Sequence, residues 1–375
     1  MAKQTFVMTG KDLIKLSVMA VTAVTLFGVP GLLMMLLMQW LTRQAYATEV
    51  IGKHGISSLS ASRLGGVAVF VCTLVLIIVG YFKGLVRPND GFFMEDRWIW
   101  WIGVIASGLL GLVEDLHNDY LSPRLRLYAE LIIFGSFVGF IPSLIPVDLW
   151  VPGLDVLMAV PILGWLFTTV FCVGFVNSIN MADGANGLIS GMMTIAFGIM
   201  FMETQAFVYV CLMSSCALFA IFNVISGRLF LGDAGAYGLG AAVVLSGLYL
   251  FSEGILSAMF MACLFAYPCI DFIATLARRV RAGRSITLPD NDHLHNRVHH
   301  YFQNWFSSPT LANSLTGLLL VGGSSGLALA GYFLGWWPIT GESWVWLFLF
   351  QVIMYVGAFL LTSSYRPSPR LVADA

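Results

Sequence analysis

The stretch LMAVPILGWLFTTVFCVGFV, residues 157–176, runs directly into NSINMADGANGL, residues 177–188. The first stretch is apolar and long enough to cross a bilayer, which takes about 20 such residues. The second places three asparagines, an aspartate and two glycines at its end. Polar side chains at that depth are costly and indicate a partner or a task. Together the two stretches predict an integral membrane protein with a polar site at the end of a span.

The composition supports a membrane environment for the whole chain. Hydrophobic residues make up 58% and charged residues 10%, and the mean hydropathy is +0.86. A soluble domain carries roughly 25% charged residues, so lipid must be the main solvent here. The net charge of -1 gives no reason to expect a nucleic-acid partner. The six cysteines all lie in apolar runs without a metal-type Cys-x-x-Cys pair, which favours inert packing.

Apolar runs recur along the chain and predict an all-α, polytopic membrane protein with about eleven transmembrane helices. The predicted spans are 16–40, 64–82, 98–113, 127–146, 157–176, 188–203, 205–225, 236–252, 255–276, 311–335 and 343–363. We expect one integral membrane domain over residues 1–365, with a cytoplasmic His/Arg loop at 277–308 and a cytoplasmic tail at 366–375.

The positions of Lys and Arg predict which side of the membrane each loop faces. Positively charged loops stay cytoplasmic. If the N-terminus is periplasmic, most of the Lys and Arg fall in inside loops, and the C-terminus is cytoplasmic. The segments rich in acids, amides and histidines then share the cytoplasmic face, and they are 52–66, 111–127, 177–188, 223–240 and 277–300. This pattern predicts one composite active site at the inner membrane surface.

Acidic residues stand at two of these span ends. Glu114 and Asp115 are adjacent, which is typical of a divalent-cation site or a base acting on a phosphate, or of a solvated helix end. Asp233 lies among glycines, a pattern that turns also produce. Mg²⁺ needs only one or two carboxylates beside phosphate oxygens, so Asp233 is a candidate ligand. Asn223 is expected to face the same cavity.

The amide-rich stretch shows a regular spacing. Asn177, Asn180 and Asp183 recur every three residues, so they share one face if the helix continues, and Asn186 follows in the same register. Gly184 and Gly187 allow close backbone approach or end the helix. A helix cap and a turn would give a similar pattern, but four polar groups in one register favour contact with a ligand.

The last hydrophilic loop adds positive charge. Arg278 and Arg279 fit the topological anchor expected of an inside loop. His293, His295 and Arg297 are a denser group, for which phosphate contact is favoured over metal ligation. Carboxylates for a hard metal, cations for phosphates and amides for sugar or base hydroxyls are typical of phosphoryl transfer between a soluble nucleotide and a membrane lipid.

In this order the motifs resemble the polyprenyl-phosphate N-acetylhexosamine-1-phosphate transferases. These enzymes include the initiators of O-antigen and enterobacterial common antigen synthesis and the muramoyl-pentapeptide translocase of cell-wall synthesis. The resemblance runs from about His54 to His300. It rests on His54 with Gly65-Gly66, Glu114-Asp115 with Arg124 and Arg126, the run from Asn177 to Gly187, Asp233 with Asn223, and His293, His295 and Arg297. Glu114, Asn186 and Asn296 depart from the commonest family residues.

The resemblance implies an enzyme of the bacterial inner membrane. It would transfer an N-acetylhexosamine-1-phosphate from a UDP-sugar, by default UDP-GlcNAc, to undecaprenyl phosphate and release UMP. The cofactor would be Mg²⁺ (or Mn²⁺). The alternatives are a transporter or flippase of lipid-linked sugars and an inactive relative acting as a scaffold. The oligomeric state stays open, with a homodimer as one option.

The resemblance also implies roles for individual residues. Glu114, Asp115, Asp183, Asp233, His293 and His295 would be catalytic, with Asp233 and Asp115 at the metal and Asp115 orienting or deprotonating the lipid phosphate. The substrate-binding residues would be His54, Arg126, Asn177, Asn180, Asn186, Asn223 and Arg297. The glutamate at position 114 favours direct attack of the lipid over a phospho-enzyme.

Overall fold

The computed structural model describes residues 10–44, 61–85, 98–117, 120–147, 149, 151, 153–285 and 291–365. In these ranges the chain is helical apart from turns and one isolated β-bridge. The helices are α1 (Gly10–Leu41), α2 (Gly65–Phe82), α3 (Trp98–Leu116), α4 (Pro123–Phe140), α5 (Leu154–Met158), α6 (Pro161–Ala182), α7 (Leu188–Thr204), α8 (Phe207–Ser226), α9 (Gly232–Ser252), α10 (Ala258–Leu264), α11 (Ala266–Arg281), α12 (Leu294–Gln303), α13 (Pro309–Val321), α14 (Leu327–Phe333) and α15 (Trp344–Leu361).

The helices confirm a polytopic membrane protein. Seven helical segments among the described residues are long and apolar enough to span a bilayer, and α10 with α11 makes an eighth if this bent pair is one span. Each of the eleven predicted runs coincides with a helix or helix pair. The helix α7 is apolar but, at 17 residues, shorter than these seven segments. The count of eleven and the orientation stay predictions.

The helix α9 forms the centre of the bundle. Its sequence GDAGAYGLGAAVVLSGLYLFS is rich in glycine and alanine, and nearly all of its side chains are buried. Small residues let neighbouring helices approach closely within a membrane. At Gly66 of α2, an added Cβ would overlap the backbone of Gly235. The packing of α2, α3 and α6 therefore fixes the position of the amino end of α9, where Asp233 lies.

The outer helices present apolar side chains outward. Ile14 and Val21 of α1 are each 66% exposed, and Ile353 of α15 is 69% exposed. Exposed side chains of this type are expected where helices face lipid, since lipid tails are as apolar as the side chains themselves. The polar side chains collect between the helices instead.

The helix that contains the predicted span 157–176 ends later than predicted, inside the amide-rich stretch. The helix α6 runs on through Asn177 and Asn180 to Ala182, and Asp183 caps its carboxyl end. Gly187 has a φ of 78° and starts α7. The expectation that Asn186 shares the helical register is therefore wrong, because the helix ends four residues earlier, at Ala182, and a glycine turn intervenes.

The predicted continuous span 255–276 is two helices that meet at an angle of 83°. A break at membrane depth leaves backbone groups that need other partners. The side chain of Ser325 donates to the carbonyl of Leu264 at 2.6 Å, and the amide of Gln351 donates to the carbonyl of Cys263 at 3.1 Å. The break turns α11 so that its polar residues face α12.

Candidate active site

The site starts at a short parallel backbone pairing between two segments distant in sequence. Ser62 is bridged to Leu229. The N–H of Ser62 donates to the carbonyl of Arg228 at 3.1 Å, and the N–H of Phe230 donates to the carbonyl of Ser62 at 2.8 Å. This pairing places Arg63 beside the amino end of α9.

Asp115 holds the amino end of α9 in place. Its carboxylate accepts hydrogen bonds from the N–H groups of Asp233 and Ala234, at 3.0 and 2.8 Å. The first N–H groups of a helix need such acceptors, and the helix dipole favours a negative charge there. Gly232 has a φ of +74°, and an added Cβ would overlap the carbonyl of Arg63. The glycine before Asp233 is therefore required by both backbone angle and space.

Two arginines face the acids. Arg63 pairs with Asp115 at 3.1 Å and reaches Asp233 at 3.6 Å. Arg126 lies 3.3 Å from Asp233 and 3.9 Å from Glu114. These five residues form the carboxylate–arginine cluster. The side chain of Asp115 is fully buried, whereas that of Asp233 is 14% exposed. Asp233 is the acid of this pair that a ligand can reach.

The sequence reasoning missed two residues of this region. Arg63 lies in a predicted inside loop, where the rule for positive charges accounts for it by topology alone, yet it pairs with two of the predicted acids. Glu130 falls inside a predicted span, yet its side chain is buried and accepts a hydrogen bond from Asn177 at 2.6 Å. An acid four residues after Arg126, on the same helix face, was the signal that could have identified Glu130.

Asn186 and Asn223 form a second polar group, whose amides bond within the protein. The Oδ1 of Asn223 accepts from the N–H of Gly187 at 2.6 Å, and its Nδ2 donates to the carbonyl of Leu229 at 2.7 Å. The Nδ2 of Asn186 donates to Ser314 at 3.3 Å. Both asparagines are buried. In the structure they brace the turns after α6 and α8.

Two histidines form a parallel pair. The rings of His293 and His295 are stacked, with centroids 5.3 Å apart and planes 3° from parallel. The Nδ1 of His293 lies 2.6 Å from the carboxylate of Asp271, and the Nδ1 of His295 lies 2.7 Å from the hydroxyl of Tyr267. An added Cβ at Gly184 would overlap Nε2 of His295. The pair therefore sits against the turn that ends α6.

Arg297 is engaged inside the protein. Its Nε and one terminal nitrogen form a two-point contact with the carboxylate of Asp292, at 2.7 and 2.9 Å. The other terminal nitrogen donates to the carbonyl of Phe359 at 2.9 Å. The guanidinium also lies 3.6 Å from the centre of the Phe359 ring. These contacts hold α12 against α15.

The end of α6 connects the two parts of the site. Asn177 reaches Glu130, next to the carboxylate–arginine cluster, and Gly184 touches the histidine pair. Seven residues separate them, which is about 10 Å along a helix. The half-buried side chains of Asn180 and Asp183 lie between. The structure thus gathers the predicted site residues at one end of the bundle, and His54 lies outside the described residues.

The metal prediction can be compared with the carboxylates present. In the described part of the chain, no three His, Cys, Asp or Glu side chains are grouped as a ready-made metal site. Both oxygens of Asp115 already accept backbone N–H groups. The partly exposed Asp233 matches a Mg²⁺ ion held by one carboxylate and substrate phosphates. Its carboxylate fits that role better than the carboxylate of Asp115.

The chain is similar in sequence to proteins of known families. Residues 97–251 match the family model Glycosyl transferase family 4. The phospho-N-acetylmuramoyl-pentapeptide-transferase of Lactiplantibacillus plantarum is 27% identical over 255 residues, 64% of this chain and 74% of the relative. The probable undecaprenyl-phosphate N-acetylglucosaminyl 1-phosphate transferase of Bacillus subtilis is 26% identical over 250 residues, 63% of this chain and 65% of the relative. The resemblance predicted from the motifs is confirmed.

Proposed function

Because this chain is a relative of the Glycosyl transferase family 4 proteins, we propose that it transfers an N-acetylhexosamine-1-phosphate from a UDP-sugar to undecaprenyl phosphate. The default donor is UDP-GlcNAc, the second product is UMP, and the setting is the cytoplasmic face of a bacterial inner membrane. The observation that carries the proposal is the carboxylate–arginine cluster, in which Asp115 and Arg63 hold Asp233 at the mouth of the site.

The reaction exchanges one phosphorus–oxygen bond for another. An oxygen of the lipid phosphate attacks the phosphorus that carries the sugar, and the bond from that phosphorus to the bridging oxygen breaks. UMP leaves with the bridging oxygen. Such a transfer needs positioning and charge stabilisation more than covalent help from the protein. The side chains of this site provide both.

The carboxylate–arginine cluster would receive the lipid phosphate and the metal. Arg126 is 22% exposed and faces Asp233, so its guanidinium can bind a phosphate at the lipid boundary. Asp233 would hold Mg²⁺ or Mn²⁺ against the diphosphate. When bound, the ion neutralises negative charge on the phosphates and polarises their oxygens. Arg63 keeps Asp115 and Asp233 at a fixed separation, which preserves this arrangement.

The geometry supports direct attack by the lipid. A phospho-enzyme would need a carboxylate oxygen exposed to the donor. Asp115 is completely buried and both of its oxygens accept backbone hydrogen bonds. Glu114 is also buried, and its Oε2 accepts from the N–H of Leu121 at 3.2 Å. The two adjacent acids are thus better suited to positioning than to nucleophilic attack.

The donor would bind between the end of α6 and the histidine pair. Asn180 and Asp183 can contact its nucleotide and the surroundings of the metal. His293 and His295 can contact the diphosphate. Since the guanidinium of Arg297 is bonded to Asp292, we propose that it anchors the loop and leaves phosphate contact to the histidines.

The experiment is a donor screen. Purified protein is incubated with undecaprenyl phosphate, Mg²⁺ and one UDP-sugar at a time, including the GlcNAc, GalNAc, QuiNAc and FucNAc donors, and UMP is measured. We expect UMP with one donor or a small subset, loss of UMP with a chelator and its return with added Mg²⁺. If no donor yields UMP beside an active control enzyme, the transferase proposal fails and a flippase or scaffold is favoured.

The substitution Asp233→Ala tests the metal assignment. We expect UMP release to fall below detection while the melting temperature in detergent stays near that of the wild type, because Asp233 is partly exposed. The matched control is Glu253→Ala, an acid exposed at the opposite end of α9. Full activity in Asp233→Ala, or equal loss in both variants, would remove Asp233 from the metal site.

A further inference from the structure

The two histidines of the pair differ in the side chain that hydrogen-bonds to their Nδ1 atoms. The group behind His293 is a carboxylate, and the group behind His295 is a phenol. Tyr267 and Asp271 are four residues apart on α11, so they lie on the same helix face. Each points at the Nδ1 atom of one imidazole. The Nε2 atoms, at the other edge of each ring, face away from α11.

The hydrogen bonds around Tyr267 determine where the proton of His295 sits. The hydroxyl of Tyr267 accepts from the backbone N–H of His295 at 3.3 Å. Its single proton is then directed to Nδ1 of the same histidine, 2.7 Å away. Since Nδ1 is the acceptor, the neutral ring of His295 carries its proton on Nε2. That atom lies against Gly184, at the turn after α6 beside which the donor is proposed to bind.

The surroundings of Asp271 give His293 the opposite arrangement. An ionised carboxylate only accepts, so Nδ1 of His293 must carry a proton to bond with it. The other carboxylate oxygen accepts from the N–H of Leu294 at 3.1 Å and from the hydroxyl of Tyr355 at 2.8 Å. These bonds hold Asp271 ionised and in place. Nε2 of His293 is therefore the atom that can gain or lose a proton.

We infer that the two imidazoles divide the work on the diphosphate, with His295 a neutral donor and His293 the cation. Asp271 and Tyr267 are the positioning residues that set this division. The inference rests on the proposed function. A carboxylate behind an imidazole stabilises its protonated form, and a charged N–H donor binds phosphate about twice as strongly as a neutral one. The protonated His293 would offset the negative charge on the departing UMP.

Among the described residues, a few titratable groups near His293 bear on this division. They are, on α11, Asp271 and Arg278 (which bonds Thr275, itself 3.5 Å from Nδ1 of His293), on α15 Tyr355, on α12 His295, and just before α12 Asp292, whose carboxylate is paired with Arg297. Arg278 also donates to the carbonyl of Asp292 at 2.7 Å and faces the ring of Phe359. Asp271 is thus the group in direct contact that favours a positive charge on His293.

The test compares pH profiles of UMP release and of UDP binding for Asp271→Asn and Tyr267→Phe. In the wild type we expect both quantities to fall at alkaline pH as His293 loses its proton. In Asp271→Asn the amide donates to Nδ1 and disfavours the cation, so this alkaline fall should begin about one pH unit lower or more. Tyr267→Phe should reduce turnover and leave the position of the alkaline fall unchanged.

A second pair of variants keeps the test decisive if Asp271→Asn does not fold. A glutamine side chain can donate a hydrogen bond as histidine does, but it stays neutral at every pH tested. His293→Gln should abolish the alkaline fall, and His295→Gln should retain it. Equal loss at every pH in all variants, or an unmoved profile in Asp271→Asn, would overturn the inference. A wild type that releases no UMP from any donor refutes the proposed function separately, and UDP binding then still tests the histidine pair.

Discussion

One absent side chain, at Gly184, gives His295 its position. The glycine lies just after the cap of α6, and its missing Cβ leaves room for the imidazole edge that carries Nε2. The sequence pattern indicated either close approach or a helix end at this residue. The structure shows both at once, since the helix ends there and the histidine fills the space.

The substitution Gly184→Ala is expected to slow UMP release by about 10- to 100-fold, because the new methyl group displaces the imidazole by roughly its own radius. The fold should persist, and the melting temperature should change little. The control is Gly174→Ala within α6, where the added Cβ would meet Phe272 at an ordinary 3.8 Å. Equal activity of the two variants would contradict this role of Gly184.

His299 is expected to make stability depend on pH. Burial, and then the charge of His300, lower the pKa of His299 from 6.5 to about 4. Between these values the unfolded chain binds a proton that the folded protein refuses, so stability falls as the pH drops from 6.5 towards 4.

The measurement is the melting temperature in detergent at pH 7 and at pH 5. Replacing His299 with Gln should reduce the acid-induced drop by about 2 to 5 °C. His117→Gln, at an exposed histidine, should leave the drop unchanged. An unaltered drop in His299→Gln would show that other groups are responsible.

At the residue scale, the sequence predicted which side chains matter better than how they are used. Asp115 and Asp233, which the sequence places in one site, are in contact through a hydrogen bond between the carboxylate of Asp115 and the backbone of Asp233. Arg63 could not be identified, because charge alone does not tell a topological arginine from a buried partner. That distinction requires distances between segments far apart in the chain.

At the element scale, the break between α10 and α11 is the main departure from the sequence pattern. Hydropathy is continuous across residues 255–276, so a window average predicts one straight helix. The partners of the broken backbone come from α15 and from the π-helical turn Gly322–Gly326, more than fifty residues further along the chain. Local sequence therefore carries little information about this bend.

The substitution Gln351→Leu tests how much these partners contribute. The side-chain amide of Gln351 reaches the carbonyls of Cys263, Gly323 and Ser324 within 3.3 Å. Their loss should lower the melting temperature in detergent by about 2 to 10 °C. Phe350→Leu, at a half-exposed neighbour, should have little effect. Equal melting temperatures for Gln351→Leu and the wild type would show that the break is stabilised elsewhere.

At the scale of the whole molecule, the prediction of one composite site is supported by contacts among α3, α4, α6, α9, α11 and α12. Polar segments gathered at span ends on one predicted face, and the structure brings these same ends together. The positions of Lys and Arg predicted this shared face because they assign each loop to one side of the membrane. The number of spans depends on helix lengths and angles that composition alone does not determine.

The predicted orientation can be measured by labelling intact bacterial cells with a membrane-impermeant maleimide. In a background without the six native cysteines, Glu342→Cys should be labelled from outside and Arg284→Cys only after the cells are opened. Both positions are exposed. Labelling of Arg284→Cys in intact cells would reverse the topology and place the active site on the opposite face.

We expect the hydrogen bonds from α9 to Asp115 to affect the order of events during synthesis. The N–H groups of Asp233 and Ala234 leave the ribosome more than one hundred residues after Asp115 itself. Until then Asp115, at the end of α3, lacks the N–H groups of α9 that its carboxylate accepts from. For this reason we expect α3 to remain loosely inserted in the translocon. We therefore expect nascent chains arrested before residue 230 to expose α3 to proteases, and chains arrested after α9 to protect it.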